Sequence, residues 1–163
     1  MNATRDNLGV IAPPPLMALA VLVAGLLLDW LLPAYVLSVL LAFGTRILLG
    51  LELIGGGAAL IVIAMKAFRA AGTNVEPWKP STALVAGGVF AYVRNPIYVG
   101  MILILAGLAF GLASDWTLVL TIVAFVPAIH FGVVLREERY LAAKFGEPYV
   151  RYLRTVPRYG LPL

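Results

Sequence analysis

Four apolar stretches, each about long enough to cross a lipid bilayer and nearly free of charge, dictate what this 163-residue chain can fold into. A bilayer's hydrocarbon core is about 30 Å thick and a helix rises about 1.5 Å per residue, so crossing takes roughly 20 mainly apolar residues. Leu16 to Leu32 carries one charge, Asp29, near its end, and Ile47 to Met65 carries Glu52. Ile97 to Ala113 and Trp116 to Leu135 carry none. Backbone groups in hydrocarbon must bond within their own segment, so these spans are predicted to be helices and not strands. Ala34 to Phe43 is apolar but short. After Pro33 it reads as a re-entrant or interfacial connector, with a fifth span as the alternative. The expected fold is therefore all-α, a polytopic integral membrane protein of four transmembrane helices.

Composition supports this and closes off other classes. Apolar residues make up 62% of the chain and charged residues 12%, whereas a soluble domain is about half apolar and about a quarter charged. A soluble globular enzyme is excluded, and so is intrinsic disorder, which needs low hydrophobicity and high net charge. The length fits a single domain over 1–163, with two spans in 16–66 and the more informative half in 67–163. The absence of cysteine removes disulfides, thiolate metal sites, thiol nucleophiles and prenyl or palmitoyl anchors.

The net charge of +4 reflects topology more than nucleic-acid binding. Arg5, Lys66, Arg69, Lys79, Arg94, Arg136, Arg139, Lys144, Arg151, Arg154 and Arg158 all fall on one side of the expected membrane, and only Arg46 on the other. Lys and Arg collect on the cytoplasmic side, so both termini are expected there, on a surface attractive to anionic lipid. No signal peptide is expected, because Pro13-Pro14-Pro15 precedes the first span and no small-x-small cleavage site follows it. The Asn2-Ala3-Thr4 glycosylation pattern carries no meaning on a cytoplasmic tail. Gly100, Gly107 and Gly111 share a helix face and Gly55-Gly56-Gly57 lies inside the second span, which suits close helix packing within the chain or between two copies. No internal repeat supports an inverted-repeat transporter.

Chemistry concentrates in two cytoplasmic segments. The first, Phe68 to Tyr98, has too many Gly and Pro breaks for one helix and is long enough to be functional. It ends in Arg94-Asn95-Pro96. Asn is a preferred cap and Pro a preferred first helical residue, so the third span is predicted to start at Pro96 with Asn95 as its cap. A helix start beside a full positive charge suits a small anion such as a carboxylate. A capped helix with a snorkelling Arg94 fits the same residues. The second segment continues from the fourth span to a helix end at Gly146, with Pro148 beginning another short helix. Leu141, Phe145, Tyr149, Tyr152 and Leu153 form its lipid- or core-facing stripe. Glu137 and Glu138 sit where the span leaves the membrane, where an acid must be hydrated or paired; the candidate partners are Arg94, Arg136 and Arg139. His130 is the only histidine and is either a packing residue or a base. One histidine with scattered acids makes no metal site. Asp29 and Glu52 read as interfacial, and no Ser-His-Asp set, phosphate loop or dinucleotide fingerprint is present.

Several of these residues fall in a recurring order: Gly72-Thr73, Leu84-Val85, Gly88, Arg94-Asn95-Pro96, Tyr98 and Gly100, then Glu137-Glu138, Leu141, Phe145-Gly146, Tyr149 and Val156-Pro157-Arg158. From Gly72 onward the chain resembles the isoprenylcysteine carboxyl methyltransferases and the related membrane phospholipid methyltransferases. The resemblance implies S-adenosyl-L-methionine as cofactor at the cytoplasmic membrane face. Its contacts would come from Thr82, Ala83, Leu84, Val85, Phe90, Asn95, Pro96, Ile97, Tyr98 and Glu137. Arg94, Glu138 and His130 are the candidate catalytic residues, and the acceptor would be a lipophilic small molecule or lipid, entering between the third and fourth spans. Two positions depart from the family pattern: Asn95 stands where His is frequent, and Val133 where eukaryotic prenylcysteine enzymes place Arg. An NADPH-dependent reductase of the sterol type and a non-catalytic lipid-binding protein of the same fold are the alternatives. Composition suggests a bacterial inner membrane protein.

Overall fold

The computed structural model describes residues 12–76 and 79–160, so Arg5 and the Asn2-Ala3-Thr4 triplet lie outside the described residues. Helix α1 (Pro14–Leu31) opens on prolines, which the first turn of a helix tolerates because its N–H groups lack partners anyway. It stops where Pro33 forces Leu32 out of helical geometry. Between α1 and the next span lies only α2 (Val36–Leu40), a five-residue helix. The fifth span is thereby excluded, since one and a half turns cannot cross a membrane, and the connector is a short helix at the end of the bundle.

Helix α3 (Phe43–Ala70) extends beyond both ends of the apolar stretch that announces it, and α4 (Pro96–Leu112) begins at the Asn-Pro step. The fourth span and its extension form one helix, α5 (Asp115–Phe145), followed by α6 (Glu147–Thr155). Between α5 and α6, Gly146 takes a positive φ of 63°, which favours glycine because no Cβ clashes there. Helix α5 is not uniform. Thr121–Phe125 and His130–Val134 are wider, π-type turns. Pro127 lies between them, and its ring would collide with the carbonyl four residues back in a regular helix. Among the described residues there is no strand.

Helices α1, α3 and α5 are long and apolar enough to cross a membrane; α4, with 17 residues, is shorter. It rises roughly 26 Å, close to the hydrocarbon thickness. The faces turned outward are apolar, including Leu19, Leu27, Leu48, Leu51, Ile63 and Ile122, as hydrocarbon requires and water would penalise. This is an integral membrane protein.

Packing explains the glycines. A Cβ on Gly57 would lie 2.6 Å from the Gly100 carbonyl oxygen, and one on Gly107 would lie 2.7 Å from the Gly50 carbonyl oxygen. Helices α3 and α4 therefore touch backbone to backbone along a glycine seam, which makes the packing intramolecular. Gly55 and Gly56 have open surroundings instead. Behind the seam, Leu105, Phe125, Ile129, Val133 and Val134 form the core with Tyr98, and Met17, Val21 and Leu22 of α1 close it.

At the end of the bundle where α4 stops, carboxylates tie the connections together. Asp29 accepts hydrogen bonds from the Ser114 hydroxyl and the Trp116 amide, and Asp115 accepts from the amides of Val36 and Leu37 at 3.0 and 2.9 Å. The Trp116 indole donates to the Leu32 carbonyl at 2.7 Å. Asp29 is thus a bonded structural acid at a helix end, while Glu52 is exposed on α3.

Candidate functional site

The other end of the bundle carries the polar chemistry. After α3 the chain turns at Gly72, and Thr73 organises the loop that follows: its hydroxyl oxygen accepts from the amides of Thr82 and Ala83 at 2.9 and 3.3 Å. The Thr82 hydroxyl donates to the Gly72 carbonyl at 2.9 Å. A 3-10 turn over Gly88–Ala91 then delivers Phe90 into the interior, where its ring meets Phe68 edge-on at 5.0 Å. The Tyr152 hydroxyl donates to the Phe90 carbonyl at 2.7 Å, fastening α6 to this turn. Burial pushes the Tyr152 hydroxyl up to about 12, so it stays a donor at any physiological pH.

Two adjoining cavities meet here, sharing Phe68, Val75, Glu76, Phe90, Arg94, Asn95 and Glu137 as a common wall. One is mainly apolar, about 600 Å³ counted to its open mouth, and is completed by Pro14 and Pro15 of α1 and by Pro96, Ile97, Tyr98 and Met101 of α4. The other is more polar and is completed by Asn74, Ser81, Ala83, Leu84, Val85, Glu138, Leu141, Tyr149 and Tyr152.

Most residues singled out from the sequence converge on these walls. Phe90, Asn95 and Glu137 line both cavities, Ala83, Leu84 and Val85 the polar one, and Pro96, Ile97 and Tyr98 the apolar one. Thr82 lines neither; its hydroxyl and amide close the turn instead. Asn95 precedes α4 as expected, but its side chain makes no capping bond. The Asn95 amide donates to the Arg158 carbonyl at 3.1 Å, because the chain's C-terminal segment passes beside it and offers an acceptor. Tyr98 donates to Glu137 at 2.9 Å, which links the start of α4 to α5 across the cavity junction.

Of the candidate catalytic residues, Arg94 and Glu138 meet and His130 stands apart. Arg94 lines both cavities with a side chain only 5% exposed; its Nη1 lies 3.0 Å from Glu138 Oε1. Its Nε is buried and meets no hydrogen-bond partner among the described residues. Glu138 lines only the polar cavity and is clasped by Arg158, whose Nε and Nη2 donate to its two oxygens at 2.8 Å each. His130 lines neither cavity, and its Nδ1 is 2.7 Å from the Tyr159 hydroxyl. Val133 is fully buried in the apolar core.

Val156-Pro157-Arg158 belongs to the pattern that carries the resemblance, but the sequence assigns these residues no contact in the site. Pro157 accepts from the Arg94 amide at 3.1 Å, so residues 157–159 hold Arg94, Asn95, Glu138 and His130 in one arrangement. The sequence also assigns nothing to Pro14 and Pro15. Tyr149 and Tyr152 turn out to face the core and not lipid.

The family model described as phospholipid methyltransferase matches residues 45–148. The protein-S-isoprenylcysteine O-methyltransferase of Schizosaccharomyces pombe is 35% identical over 89 residues, covering 49% of this chain. The match takes in 33% of that relative, so the chain spans about a third of its length. No solved structure matches significantly.

Proposed function

The chain belongs to the phospholipid methyltransferase family, and from that premise we propose that it transfers a methyl group from S-adenosylmethionine to a small lipophilic acceptor at the cytoplasmic membrane face. The observation that carries the reading is the pair of adjoining cavities, one apolar and one more polar, with Arg94, Asn95 and Glu137 in their common wall. A methyltransferase needs two ligands of opposite character held with their reacting atoms in contact, and such a wall suits that need.

The residues present fit the cofactor. Ala83, Leu84, Val85 and Phe90 offer an apolar slot for adenine. Glu137 offers an acceptor for ribose hydroxyls or the cationic amine. Arg94, in the wall common to both cavities, offers its guanidinium to the methionyl carboxylate. Thr82 contributes through the turn it closes. When bound, S-adenosylmethionine supplies a methyl group activated by its sulfonium, and the chain's own task is to align the partners and exclude water.

The apolar cavity takes the acceptor, and Pro14 and Pro15 place the start of the first span in its wall. The catalytic part over 67–163 is therefore completed by α1. A carboxylate acceptor needs no base. An amine or hydroxyl acceptor must lose a proton, and of the two carboxylates in the wall of the apolar cavity, Glu76 is paired with Lys79 and Glu137 is the candidate to receive it. An arginine contact to substrate from position 133 is absent here, which favours an acceptor other than a prenylated protein. We place both termini on the cytoplasmic side, on the distribution of Lys and Arg, and the protein in a bacterial inner membrane, on its composition.

Isothermal titration of detergent-purified protein tests the reading. Micromolar binding of S-adenosylmethionine, weakened by Glu137→Ala and Arg94→Ala, supports it, as does transfer of a labelled methyl group to a lipid extract. Binding of NADPH alone would assign the site to reductase chemistry, and binding of neither would leave a lipid-binding protein.

A further inference from the structure

We infer that Arg158 is a positioning residue, which takes up the charge of Glu138 so that Arg94 keeps its own positive charge for an anionic group of the ligand. The inference rests on the reading of the cavity as a cofactor site and names a residue whose contribution that reading does not require.

The geometry is unequal. Arg158 engages both oxygens of Glu138, through Nε and Nη2 at 2.8 Å each, whereas Arg94 reaches one of them at 3.0 Å through Nη1. A fork-to-fork pair is the stronger arrangement, so Glu138 belongs first to Arg158. One carboxylate between two guanidiniums leaves one positive charge over. Arg158 is 27% exposed and its field is screened by water, while Arg94 is 5% exposed. Keeping an uncompensated charge at that depth is costly unless an anion arrives to meet it. Arg94 lines both cavities, and its buried Nε has no partner among the described residues, so Glu138 alone does not satisfy the guanidinium. Without Arg158, Glu138 would turn wholly to Arg94 and cancel it.

The backbone separates this role from a merely structural one. The carbonyls of Pro157 and Arg158 accept from the Arg94 amide and the Asn95 side chain, and Tyr159 meets His130. Those contacts survive replacement of the Arg158 side chain, so the substitution removes charge and leaves the segment attached.

The test is a charge rescue. Hydrogen bonds to charged groups are worth enough that Arg158→Ala should weaken S-adenosylmethionine binding about tenfold or more. Affinity for the decarboxylated analogue of S-adenosylmethionine should stay within about twofold, because Arg94 then has no anion to meet. Adding Glu138→Gln to Arg158→Ala should restore most of the lost affinity, since the carboxylate paired with Arg94 is then gone. A double variant no better than Arg158→Ala overturns the inference, and so does an equal loss for both ligands. If Arg158→Ala fails to purify as a monodisperse protein, Arg158→Lys keeps the charge without the fork, and its affinity should fall below both that of wild type and that of Glu138→Gln/Arg158→Lys. Equal affinity of those two variants overturns the inference. Wild-type protein that binds no S-adenosylmethionine refutes the cofactor site and the inference together, whereas wild-type binding undisturbed by Arg158→Ala refutes the inference alone.

Discussion

Replacing Gly57 by alanine should destabilise the bundle, while the same change one residue earlier should not. A Cβ on Gly57 would lie 2.6 Å from the Gly100 carbonyl oxygen, 2.9 Å from Ile104 Cγ1 and 3.1 Å from Leu103 Cβ. The nearest of these is backbone, so rotamer changes cannot relieve it. Helices α3 and α4 would have to separate by roughly 0.5–1 Å, and a gap of that size forfeits a quarter to a half of each dispersion contact along the seam. Overpacking of this kind costs about 1–3 kcal/mol. At Gly56, by contrast, the new methyl group meets nothing within 4 Å, and removing a helical glycine gains about 0.5–1 kcal/mol. Each variant adds one methyl group, at adjacent positions, so hydrophobicity and expression context are matched. Unfolding by SDS in mixed micelles measures the difference. Gly57→Ala should fall below wild type and Gly56→Ala should equal or exceed it. Because the seam also spaces Phe68 from Tyr98 across the apolar cavity, Gly57→Ala should lose ligand affinity as well. Equal stability of the two variants would refute the backbone-contact argument.

Other consequences follow from single contacts. Tyr98→Phe removes the donor to Glu137 and should weaken cofactor binding about fivefold, corresponding to one ordinary hydrogen bond, as read by titration calorimetry. Asp115→Ala leaves the amides of Val36 and Leu37 without their acceptor and should cost about 1–3 kcal/mol in the micelle unfolding assay, with cofactor affinity unchanged because the site lies at the other end of the helices. Orientation can be read directly because the chain has no native cysteine. In intact cells a membrane-impermeant maleimide should label Ser38→Cys, and Arg151→Cys only after permeabilisation.

The helix ends were legible where local chemistry is strong: Pro33 ends the first span, Asn95-Pro96 begins the third, and Gly146 separates α5 from α6. The extent of α3 was not, because its ends are carried by packing beyond the apolar stretch and not by a cap. In the site, the spacing of Arg94-Asn95-Pro96 and Glu137-Glu138 identified the residues that meet, but not their bonds. Arg94 was a foreseeable partner for Glu138. Arg158 was not, since pairing over twenty residues across a chain reversal depends on the turn at Gly146 and the path of α6. Pro14 and Pro15 line the cavity without bearing any chemistry a sequence could advertise. The side-chain bond of Asn95 escaped notice for a related reason: a capping residue is recognised by type, and here a distant carbonyl competes for it.

The return of residues 157–159 to the bundle sets an order of events during synthesis. Glu138 is translated twenty residues ahead of its fork-to-fork partner, an interval of roughly one to four seconds at ordinary ribosome speeds. Until residues 157–159 dock, Glu138 has Arg94 to itself. A nascent chain stopped short of Arg158 would sit in the bilayer with its buried pair neutral and its pocket unready. On the inference drawn above, docking of residues 157–159 is the step that frees Arg94 for a ligand.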